Sequence, residues 1–215
     1  ERSAVTRHGL LWLVAIILIF LFAPLLILQK DYEKCVETEL KSASAWYDEV
    51  EVQSILNRTN KIYGAAMITT GIDPMIRKHL ARPVTTKEIA PGVDVPKAIA
   101  PYADHLMEYW GNLLLNIWMF CFRLAHSLSW MIYLTPFIAA IIFDGVMTRK
   151  AKLASFIYTS PTIYNMAWHV IIALAAMSMV AFAFVTPLSI FFYPIVITCM
   201  GVLLRLLISN IQHSA

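Results

Sequence analysis

The chain reads as an all-α membrane protein with four transmembrane helices and a helical periplasmic segment between the first and the second. Two observations predict this. Of 215 residues, 59% are hydrophobic and 14% charged, against roughly 45–50% and about 25% in an ordinary soluble domain. The charges are also gathered in one place. Ten of the 17 Lys and Arg and twelve of the 14 Asp and Glu fall between Lys30 and Glu108. The rest of the chain is compatible with lipid.

Four apolar runs carry the prediction. Leu10–Leu28, Leu124–Phe143 and Met166–Thr186 hold 19, 20 and 21 residues without Asp, Glu, Lys or Arg. Leu188–Leu204 holds 17 and continues past Arg205. A helix needs about 20 apolar residues to cross a hydrocarbon core. The first run exceeds the roughly 7–15 residues of a signal-peptide core and leaves through Pro24 into Gln29–Lys30, so it is expected to stay as an anchor. No interrupted helix is expected, although Pro136 and Pro194 are residues able to kink theirs.

Basic residues near helix ends mark the cytoplasmic side. Arg2 and Arg7 precede the first run, and Arg149, Lys150 and Lys152 lie in the segment 144–165. Four crossings put both on one side, with cytoplasmic termini. The organisation expected is therefore a cytoplasmic start and first span (1–28), a periplasmic helical segment (29–112), and a three-helix membrane block (113–215) with a short cytoplasmic basic loop (144–165).

Within the periplasmic segment, Tyr32, Val36, Leu40, Ala43, Tyr47 and Val50 recur at helical spacing. They predict one amphipathic helix growing directly out of the first span. A less regular helical stretch is expected over 54–70. Pro83, Pro91, Pro96 and Pro101 predict extended or turning chain over 82–101. A further helix is expected from near Tyr102 into the second span. Its Tyr109, Trp110 and Trp118 need a cover, either the Tyr32–Val50 stripe or another subunit.

Polar residues next to the spans are costly and so informative. Arg123 precedes Asp144 by 21 residues, about 31 Å of helix. Arg123 is therefore expected to snorkel at the outer interface while Asp144 marks the inner one. The functional alternative is an interhelical ion pair or a substrate path. His126 shares the Arg123 face, and His169 falls near the inner end of the third span. A proton relay would need carboxylates within the spans, and Asp144 is the sole candidate.

The sequence contains no nucleophile elbow, zinc-protease motif, phosphate loop or dinucleotide fingerprint. No Cys or His pair has metal-ligand spacing, and no dense basic stripe suits nucleic acid. The expectation is a protein without catalysis, metal, cofactor or direct nucleic-acid contact.

Asp144–Gly145, then Arg149, then Ser155, Phe156, Ile157 and Tyr158, together with Glu37–Thr38–Glu39–Leu40, resemble the integrating conjugative element membrane protein family. Ala154 and Thr159 depart from that pattern. The nearest functional analogue is the TraJ-type inner-membrane protein of conjugative plasmids. The resemblance implies an accessory subunit of a type IV secretion or coupling complex in the bacterial inner membrane. Its partners would be lipids, other membrane subunits and the type IV coupling ATPase, in a hetero-oligomer. Candidate partner contacts are Asp144, Gly145, Arg149, Phe156 and Tyr158, with Arg123, Trp110 and Trp118. An entry-exclusion receptor and a small transporter or channel subunit remain alternatives.

Overall fold

In the computed structural model the described backbone covers residues 2–80, 95–157 and 159–211. Among these residues the structure is helical and without strands. The elements are α1 (Arg2–Leu26), α2 (Gln29–Trp46), α3 (Glu49–Tyr63), a π-helical turn (Gly64–Ile68), α4 (Ile72–Leu80), α5 (Val95–Tyr133), α6 (Thr135–Ala154), α7 (Pro161–Ala183) and α8 (Phe192–Ser209).

The amphipathic stripe forms α2, but the helix is shorter than expected at both ends. It does not grow out of α1, because Leu28 is extended (φ −73°, ψ 148°) and interrupts the helical run. It stops at Trp46, where Tyr47 is extended and the Asp48 side chain accepts from the Glu51 N–H at 2.8 Å, capping α3. A carboxylate there satisfies an N–H that the helix itself leaves unpaired. The irregularity expected over 54–70 is the π-turn after α3. The turn expected over 82–101 is corrected in its last part: α5 already begins at Val95, with Pro96 in the first turn, where a missing N–H costs nothing. Residues 81–94 lie outside the described chain.

One compact unit comprises Leu18–Ala125 and Ala183–Pro187. Its axis is the first part of α5, which presents two stripes. Leu115, Met119 and Arg123 meet α2: Met119 packs with Tyr32 and Cys35, and Arg123 reaches Glu39. These contacts advance in step along both helices, so α2 and α5 run parallel. Leu114, Trp118 and Cys121 meet the other side, packing with Tyr63 and Met67. Asn112 donates to the carbonyls of Ile27 (3.1 Å) and Pro24 (3.4 Å), which the end of α1 leaves without helical partners.

The other unit comprises residues 1–17, His126–Phe182 and Leu188–Ala215. Here α6 and α8 pack closely through two glycines. A Cβ on Gly145 would stand 3.3 Å from Ile208 Cβ and 3.4 Å from Arg205 Cα, and one on Gly201 would stand 3.2 Å from Ile141 Cδ1. Small residues let helix backbones approach inside a membrane, where packing replaces the hydrophobic effect as the driving force. The paired positions rise together, so α6 and α8 are parallel. Where α7 ends and α8 begins, Phe182 meets Phe192 and Tyr193 with ring centroids 6.2 and 5.9 Å apart.

Among the described residues, three helices are each long and apolar enough to cross a membrane: Gly9–Leu26, Pro161–Ala183 and Phe192–Ser209. A fourth crossing arises only if Met107–Tyr133 and Thr135–Ala154, bent by 64° at Leu134, count as one span. The continuous second helix over Leu124–Phe143 is thus corrected to a broken one. Pro136 cannot donate to the Ile132 carbonyl, and the Thr135 hydroxyl takes the Met131 carbonyl at 2.9 Å. Pro194 does not kink its helix, because it lies in the first turn of α8.

Candidate interaction sites

The first candidate is a buried polar knot in the unit built around the start of α5. Arg123 has no exposed surface, and Glu39 is 4% exposed. The Arg123 Nε–H is shared between Glu39 Oε1 (3.0 Å) and Oε2 (3.2 Å), and Nη2 also donates to Oε1. Nη1 donates to the Phe184 carbonyl and Nη2 to the Thr186 carbonyl, both at 2.6 Å. These carbonyls belong to the turn after α7, where the Thr186 N–H also reaches the Phe184 carbonyl at 3.0 Å. One guanidinium therefore satisfies a carboxylate of α2 and two backbone groups of the α7–α8 turn. Five donors in a rigid fork make arginine suited to that task. The expectation that Arg123 snorkels to an interface is corrected, and the interhelical ion pair is what the chain builds.

Cys35 completes the knot, with Arg123 Nη2 at 3.5 Å and Glu39 Oε1 at 3.8 Å from its sulfur. Burial, reinforced by the Glu39 charge and opposed by Arg123, pushes its thiol up to about 11. The thiol is therefore protonated and unreactive at neutral pH. Above the knot on the same stripe lies Asn116, fully buried, whose amide has no protein partner; nor has the Tyr32 hydroxyl. The stripe is thus polar but unevenly satisfied.

A second, smaller cluster secures α4 beneath α3. The Tyr63 hydroxyl donates to Asp73 at 2.8 Å, and Arg77 pairs with the same carboxylate. Burial by itself would raise the Asp73 carboxyl. The hydrogen bonds from Arg77 and Tyr63 and the Arg77 charge outweigh it and hold the group below its ordinary value.

In the other unit, the segment expected to be a 22-residue loop over 144–165 is mostly helix. α6 runs to Ala154, and only residues 155–160 connect it to α7. Asp144 pairs with Arg205, both side chains about half exposed. Gly145 is buried against α8. Arg149 is half-buried, Lys150 is exposed, and Lys152 donates to Asn210 Oδ1 (2.9 Å) and the Ser209 carbonyl (3.3 Å).

α6 ends in a Schellman motif. The Phe156 N–H bonds the Leu153 carbonyl at 3.3 Å, and the Ile157 N–H bonds the Lys152 carbonyl at 3.0 Å. The residue between cap and closure must adopt a left-handed backbone, a place usually held by glycine. Here it is Phe156, with φ +55° and its side chain 96% exposed. A non-glycine residue in that region costs about 1–2 kcal/mol.

The residues proposed for partner contact from sequence thus divide. Asp144, Gly145, Arg149 and Phe156 lie along the end of α6, and Tyr158 lies outside the described chain. Arg123 is buried inside the protein's own knot. Trp118 is half-covered, donating to Asn60 Oδ1 at 3.3 Å and stacked on Phe122 at 5.8 Å. Its cover comes from α3, whereas the α2 stripe covers Leu115, Met119 and Arg123. Trp110 packs edge-on against Tyr109 at 5.2 Å and stays half-buried. Sequence reading missed Cys35 and Glu39 as buried positions. The signal was present: Tyr32, Cys35, Glu39 and Ala43 share one helical face, but a charged residue was not placed on it.

A family model described as "IncC plasmid conjugative DNA transfer protein DtrJ-like" matches residues 27–214. No curated protein and no solved structure matches the chain.

Proposed function

The chain belongs to the DtrJ-like family of conjugative DNA transfer proteins, and on that footing we propose that it is an accessory, non-catalytic inner-membrane subunit of a conjugative type IV secretion or coupling complex. It packs against the coupling ATPase or the channel and stabilises that assembly. The observation that carries the reading is family membership across 27–214 in a chain whose helices are long and apolar enough for a membrane. The buried knot supports a scaffolding role, since its charges are spent on holding helices together. The proposed orientation has cytoplasmic termini, the segment 29–112 outside and the α6–α7 connection inside.

Purification of the tagged full-length protein in mild detergent from conjugating donor cells, followed by mass spectrometry, tests the partner. The coupling ATPase should co-purify, and deleting the gene should lower transfer from the donor. Recovery of the protein free of every conjugation component, with unchanged transfer on deletion, would overturn the reading. Orientation is checked in a background without the native cysteines. A membrane-impermeant thiol reagent should label Val50→Cys in intact cells and Lys150→Cys only after permeabilisation. The reverse pattern would invert the topology.

A further inference from the structure

We infer that Phe156 is a docking anchor, kept in a left-handed backbone for its side chain, that enters an apolar pocket rimmed by carboxylates on a partner protein. The inference rests on the orientation proposed above and names the chemistry of the partner. Three observations carry it.

First, the backbone position favours glycine, yet it holds a large aromatic. Ring and backbone requirements conflict there: the left-handed backbone closes the helix end, which glycine would do without strain, and among the described residues no packing holds the ring, since Phe156 is almost fully exposed. Strain of this kind at an exposed position points to a role for the side chain. Leu153 and Ile157 beside it are also exposed, so the tip presents a small apolar patch.

Second, the tip is positively charged. Arg149 and Lys150 lie on the last turns of α6, and no acidic residue follows Asp144 to the end of the chain. The complementary surface is therefore acidic.

Third, the order of groups along α6 favours a protein over a lipid surface. A side chain inserted in a bilayer lies nearer the span than its basic neighbours. Here Arg149 and Lys150 come first and Phe156 follows.

The test uses the full chain in conjugating cells. A photo-crosslinking phenylalanine analogue replaces Phe156, and Phe156→Gly and Phe156→Asn, which both accept the left-handed backbone, are made separately. Expected is a protein adduct at position 156. Phe156→Gly should insert at normal abundance and melt no lower than the native protein. Its partner binding should nonetheless weaken about 30-fold, as loss of an aromatic anchor does, and Lys150→Glu should weaken it less. Lipid adducts alone, or normal transfer and co-purification by both Phe156 variants, would overturn the inference. A protein adduct other than the coupling ATPase, with both variants still impaired, keeps the anchor and overturns the choice of partner made above.

Discussion

Arg123–Glu39 and Arg205–Asp144 are the same chemistry in opposite surroundings. The first pair has side chains 0% and 3% exposed, the second 41% and 54%. The second is open on its outer side, so neither ion depends on a full set of protein partners, and an exposed pair adds little. In the first, removing the ions from water is expensive, and only a complete set of hydrogen bonds offsets it. The chain supplies that set from α2 and from the α7–α8 turn. The lesson is that a buried pair makes structural demands on every partner, whereas an exposed pair makes almost none.

The sharpest way to break this comparison is to strand one ion. Arg123→Met strips the buried Glu39 carboxylate of its ion-pair partner and removes one donor each from the Phe184 and Thr186 carbonyls, and should cost about 3–5 kcal/mol. Thermal melting in detergent would show it, together with faster proteolysis between α2 and α3. The double variant Arg123→Met/Glu39→Met should recover a large part of the loss. If the double variant is no better than the single, the knot is held by its backbone contacts and not by the pair.

A smaller effect of opposite sign is expected about two turns away. Asn116 is buried with its amide unsatisfied, so Asn116→Leu removes a desolvation cost at similar volume. Stability should rise by about 1 kcal/mol, a melting shift of about 2–4 °C. An unchanged or lower melting temperature would mean that the amide is satisfied in solution.

The smallest effect belongs to the exposed pair. Asp144→Asn should change stability by less than about 1 kcal/mol, and 1 M salt should erase the difference, since screening then acts over about 3 Å. A loss as large as that of Arg123→Met would show that the α6–α8 pair is shielded in the membrane-embedded protein.

Composition and charge placement alone were enough for helices and a charged segment between apolar runs. Both are sums over many residues, so no single contact can reverse them. Membership of a conjugation-associated family was also foreshadowed by short motifs around Asp144–Gly145 and Glu37–Leu40. The ends of the helices were less readable, because single residues decide them: extended backbone at Leu28, a cap at Asp48, a proline at position 136. Tertiary structure alone decided the fate of the charges. Arg123 and Arg205 each sit in an apolar stretch, and periodicity treats them alike. One is buried because Glu39 and two turn carbonyls converge on it from residues 84, 61 and 63 positions away, and the other stays exposed because its partner Asp144 is itself at the protein surface. Sequence spacing carries no term for such distant convergence, so only the folded chain could separate the two.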